Sequence, residues 1–77
     1  MTMPAQLVRV AAIIGGRGDE VRDAVGRLPA SVTSYVVETG AGVLVTLERR
    51  RRWPLAPRRR VIRGLQRDLA SIRTALR

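Results

Sequence analysis

Apolar residues along this chain recur with two different periods, and the places where the period changes mark out five elements. Gln6 to Ile14 reads QLVRVAAII, with Val8, Val10, Ala12 and Ile14 alternating onto one side, which predicts a β-strand. A helical face through Leu7, Val10, Ala11 and Ile14 competes with that reading. Gly15, Gly16 and Gly18 then break the chain. Asp19 is placed to cap a short helix in which Val21, Val25 and Leu28 follow at i, i+4 and i+7, and Pro29 ends it. Val32 to Thr39 and Val43 to Arg49 both read as strands, joined through Gly40, Ala41 and Gly42. A three-residue loop with Thr39 opposite Val43 gathers Tyr35, Val37, Val43, Val45 and Leu47 on one face. A two-residue loop scatters that set over both faces, so the longer loop is expected.

From Arg58 to the C-terminus the period is helical. Ile62, Leu65, Leu69, Ile72 and Leu76 recur at spacings of three and four. At roughly 100° per residue they fall within a stripe about 80° wide, a narrow seam suited to packing on a sheet or another helix. The order is β-α-β-β-α. A right-handed crossover followed by a hairpin puts the third strand in the middle, giving an α+β fold with two helices on one face of a three-stranded antiparallel sheet. This topology resembles a ferredoxin-like sandwich lacking the last strand. The likeness covers no sequence motif and implies nothing about activity.

Composition narrows the physical options. At 77 residues the chain is read as one small domain, 1–77, with a basic linker at 49–57 and a basic helix at 58–77. A chain of this size buries only about 60% of its unfolded surface. It has no Cys and no His, so neither a disulfide nor a Cys/His zinc site can staple it. Packing and self-association are the remaining aids, and the unpaired edges of a three-stranded sheet lead us to expect a homo-oligomer. Catalysis has little to work with, since the chain offers no His or Lys base and no Cys nucleophile. Ser31, Ser34 and Ser71 lack a base. Asp19, Glu20 and Asp23 lie on one short helix, and Glu38 and Glu48 on separate strands. No enzyme, cofactor or metal site is expected. The apolar run Val10 to Ile14 is too short for the hydrophobic region of a signal peptide or for a membrane span, and a cytoplasmic location is expected.

Charge changes the picture most. All fifteen basic residues are Arg, against six acids, for a net charge of +9. Residues 1–48 hold four Arg and five acids, a net −1, whereas residues 49–77 hold eleven Arg and only Asp68, a net +10. Such asymmetry points to an anionic partner. The candidate binding residues are Arg49, Arg50, Arg51 and Arg52, with Trp53 among them, then Arg58, Arg59, Arg60, Arg63 and Arg67. On the helical wheel Arg60, Arg63 and Arg67 lie nearly opposite the apolar stripe. A guanidinium grips phosphate through a planar fork and stacks on bases, so this set suits nucleic acid, DNA or RNA. Trp53 has three readings: stacking on an unpaired base, resting at a lipid headgroup boundary, or tucking over the edge of a core short of aromatic bulk.

Gly15-Gly16-Arg17-Gly18 joins a strand to a helix, the setting of many phosphate sites. It lacks the Lys-Ser/Thr of a P-loop and the spacing of a dinucleotide fingerprint, and Asp19 and Glu20 would repel a phosphate, so it reads as a turn. Arg17-Gly18-Asp19 spells a cell-adhesion tripeptide by coincidence. The function expected from sequence is a small basic module that binds nucleic acid mainly by its phosphates. The alternative is a protein-interaction or assembly subunit that self-associates and docks an acidic partner. Peripheral binding to an anionic membrane ranks behind both.

Overall fold

In the computed structural model, which describes residues 6–51 and 57–77, the chain runs β1 (Gln6–Ile14), α1 (Gly18–Val25), β2 (Thr33–Thr39), β3 (Gly42–Arg51) and α2 (Arg58–Ala75). The strands form one antiparallel sheet in the order β1-β3-β2. Both helices pack on the same face of it. Val8 and Ile14 of β1, and Val43, Val45 and Leu47 of β3, point to that face and are buried, as their alternation predicts. They meet Val21, Ala24 and Val25 of α1 and Val61, Leu65, Leu69 and Ile72 of α2. No helix among the described residues is long and apolar enough to cross a membrane.

The hairpin departs from expectation. Thr39 pairs with Gly42, not with Val43, so the connection is the two-residue turn Gly40-Ala41. Val36 therefore stands opposite Val45 and packs toward the core, while Tyr35 and Val37 turn to the other face, where they are about half exposed. Two local features hold this register. Gly42 has φ +137°, a conformation open to glycine, and a Cβ there would lie 2.9 Å from Ile13 Cγ2 and 3.1 Å from the Ile14 carbonyl oxygen. The Thr39 hydroxyl donates to the Gly42 carbonyl at 2.7 Å and accepts from the Ala41 N–H at 3.2 Å, closing the turn. Strand β2 lies under the short α1 and gives the core Val36, with Val32 just before the strand, in place of the larger apolar set.

Smaller differences follow from packing. Helix α1 starts earlier than predicted and ends at Val25, with Arg17 and not Asp19 at the N-cap. Asp19 lies in the first turn, where its carboxylate suits the positive end of the helix. On α2 the buried seam includes Val61, and Ile62 is only half buried on its shoulder. Strand β3 runs on to Arg51, because β1 extends back to Gln6 and supplies a pairing partner for each residue up to that point. Arg49, Arg50 and Arg51 are thus strand residues and not part of a linker.

Candidate nucleic-acid interface

The extension of β3 fixes the first half of the basic cluster. Arg49, Arg50 and Arg51 stand opposite Val8, Leu7 and Gln6. By the pleat, Arg49 and Arg51 lie on the helix-covered side and Arg50 on the other. Arg49 and Arg50 are exposed and Arg51 is half buried.

Only six residues separate Arg51 from Arg58, where α2 begins. At its other end α2 reaches the turn after β1: a Cβ on Gly16 would lie 3.7 Å from Leu76 Cδ1. The helix, about 27 Å long at 1.5 Å per residue, therefore starts at the end of the sheet where β3 finishes. This brings Arg58, Arg59 and Arg60 to the same end of the molecule as Arg49–Arg51. Asp19, Glu20 and Glu38 lie at the opposite end, beside the hairpin and the start of α1, together with Arg17 and Arg22. One end thus carries Arg49–Arg51 and Arg58–Arg60, while the other mixes both signs of charge.

The outer side of α2 continues the basic surface. Arg60, Arg63 and Arg67 are exposed, opposite the buried Val61, Leu65, Leu69 and Ile72. Among the described residues, the arginines of α2 form no ion pair. The ion pairs seen are Arg9 with Glu48 and Arg17 with Asp19, both elsewhere. The first turn of α2 carries no acid and its N-cap, Pro57, provides no side-chain hydrogen bond. The N–H groups of Arg60 and Val61 donate to the Pro57 carbonyl, at 3.0 and 3.3 Å. Three arginines thus sit at the positive end of the helix dipole, each opposed by about 0.3–1 kcal/mol at a solvated surface. A bound anion there relieves the repulsion among the guanidiniums and the repulsion from the dipole together. Arg73, absent from the predicted set, is exposed in the last turn, where a cation complements the negative end of the helix.

Of the predicted binding residues, Arg49, Arg58, Arg59, Arg60, Arg63 and Arg67 are exposed on the helix-bearing side, Arg51 is half buried there, and Arg50 is exposed on the opposite face of the sheet. Arg52 and Trp53 lie outside the described residues. The glycine turn is not built to receive an anion. The Glu38 carboxylate lies directly against Gly18, in the space a Cβ would fill, and supplies negative charge at the start of α1. That leaves the glycines as the turn the sequence predicts. Among the described residues no group of three or more acids converges as a metal site would require.

Comparison with family models, with curated proteins and with solved structures finds no match to this chain. The functional reading rests on the residues themselves.

Proposed function

We propose that this chain is a small, non-enzymatic module that grips nucleic acid by its phosphates, through the end of β3 and the outer side of α2. The observation that carries the reading is the set of exposed arginines Arg49, Arg58, Arg59, Arg60, Arg63 and Arg67 on the helix-bearing side, with no acid among the described residues paired to the helical members. A bland solvated surface mixes both signs of charge. Arginine forks match phosphate oxygens, and the rigid helix holds them on one line. Nothing in the arrangement reads base edges in a groove, so binding is directed to the backbone and weakly selective in sequence.

Each neutralised phosphate releases condensed counterions. Four to six contacts on duplex DNA give a slope of about −4 to −5 in log K against log salt. Replacing Arg60, Arg63 and Arg67 together with Gln flattens that slope by up to about 3 units. The fold survives, since all three lie away from the packed seam. The assay is a salt titration of fluorescent duplex and single-stranded oligonucleotides, with wild type and triple variant side by side. An unchanged slope in a folded variant removes α2 from the interface. No binding by the wild type near about 50 mM salt, where phosphate contacts are strongest, ends the reading. A triple variant that loses an acidic protein partner, with nucleic-acid binding at background throughout, assigns the surface to that protein.

A further inference from the structure

The sheet face turned away from the helices carries a pattern that the basic surface does not explain. Row by row across the strands it presents Ile13, Leu44 and Val37, then Ala11, Thr46 and Tyr35, then Arg9, Glu48 and Thr33, and last Leu7 and Arg50. Leu7, Ile13, Tyr35 and Val37 are 57, 46, 51 and 53% exposed, far more than the apolar residues of the other face. We propose that this face docks a second copy of the chain, sheet against sheet, in a symmetric and weak dimer.

Charge selects the occupant. Among the described residues, the charged ones on this face are Arg9, Glu48 and Arg50, and two of them neutralise each other: Arg9 Nε donates to Glu48 Oε1 at 2.6 Å. The described residues of the face therefore carry about one net positive charge of a chain whose total is +9. Two copies approach here with the least repulsion and keep their arginine-bearing helices on the outside. An acidic protein finds its complement on α2 and not on this face. A nucleic-acid strand needs several stacking platforms and a basic groove, whereas the described residues of this face offer one aromatic ring, Tyr35, on an edge strand.

Size sets the strength. Three strands about 4.8 Å apart and up to about 30 Å long cover roughly 400 Å² per copy. A standard interface buries about 800 Å² per partner, so the dimer is concentration-dependent. In a symmetric pair the Ile13–Leu44–Val37 row meets the same apolar surface of its partner, with the sheets about 10 Å apart. Its dependence on salt runs opposite to that of phosphate binding. The two +9 copies repel at low salt, and screening weakens that repulsion as the Debye length falls from about 30 Å at 0.01 M to about 8 Å at 0.15 M.

The test is sedimentation velocity on nuclease-treated full chain across a wide concentration range, at low and high sodium chloride. The expected result is a monomer–dimer equilibrium that tightens at least about threefold as salt rises and the Debye length shrinks. The double variant Ile13→Thr with Val37→Thr keeps β-branched residues on the strands and weakens association about tenfold or more. Tyr35→Arg, a single change at a half-exposed edge position, does the same by adding a charge to each copy, and it decides the matter if the double variant does not fold. Arg60, Arg63 and Arg67 replaced by Gln leaves the dimer intact or tightens it, so loss of phosphate binding and loss of the dimer are separable. A monomer under every condition overturns the proposal. So does association that weakens with salt, or folded variants that dimerise like wild type. Oligonucleotide binding lost in Tyr35→Arg with no dimer in the wild type also overturns it, and gives the face to nucleic acid.

Discussion

The two hairpin glycines offer a sharp stability test, because Gly40 and Gly42 sit two positions apart with different physical demands. Gly42 has φ +137°, and a Cβ built on it lies 2.9 Å from Ile13 Cγ2 and 3.1 Å from the Ile14 carbonyl oxygen. Gly40 has no positive φ, and a Cβ there meets nothing within 4 Å. Gly42→Ala takes on backbone strain of about 1–3 kcal/mol. Crowding adds to it, since Ile13 Cγ2 can rotate away but the Ile14 backbone is held by its pairing with Val43. We expect a net loss of about 2–4 kcal/mol, within the range for strained and overpacked sites. A chain of this length is stable by roughly 4–12 kcal/mol, so the change removes a large share of the total. Gly40→Ala is expected to be neutral or to stabilise by up to about 1 kcal/mol, by restricting the unfolded chain. The assay is urea unfolding followed by circular dichroism, at low protein concentration and fixed salt. With a slope near about 1 kcal/mol per molar, Gly42→Ala lowers the midpoint by about 2–4 M while Gly40→Ala leaves it in place. Equal midpoints for the two variants, or a larger loss at Gly40, refute the two-residue turn and return the hairpin to the longer loop.

Two further outcomes test the packing. Leu65→Ala, at a side chain only 1% exposed, is expected to cost about 2–5 kcal/mol and to leave little folded protein near 37 °C, as read by thermal melting. Glu48→Gln removes the carboxylate that Arg9 grips beneath the surface of the sheet, where Glu48 is 6% exposed. The expected loss is about 1–3 kcal/mol, measured by the same urea titration. An Arg9→Gln, Glu48→Gln double variant that recovers part of it marks the coupling between the two.

Strand β1 and helix α2 were legible in the sequence because each carries its pattern within itself. In β1 every second residue from Val8 to Ile14 is apolar, and although Leu7, Ala11 and Ile13 on the other side are apolar too, Arg9 marks that side as the outward one. In α2 the apolar spacing and the arginine phase oppose each other, which places Leu65, Leu69 and Ile72 inward and Arg60, Arg63 and Arg67 outward before any partner is known. The helical part of the basic surface was therefore readable from the chain.

The hairpin was not, because Tyr35, Val36 and Val37 are consecutive and all large enough to pack. A two-residue period says that neighbours face opposite ways, but it does not say which way Val36 faces. That choice was made by the backbone of Gly42 against Ile13 and Ile14, and by the Thr39 hydroxyl across the turn. The same holds for Val61 and Ile62, adjacent apolar residues at the rim of a seam, of which the packing against the sheet buries the first more deeply. The strand state of Arg49–Arg51 depended on β1 reaching back to Gln6, a non-local pairing invisible in the run of arginines itself. Local periodicity fixes the phase of an element that has one apolar side. Register, strand length and the placing of Arg49–Arg51 and Arg58–Arg60 at one end of the molecule are decided by contacts between residues far apart in the chain.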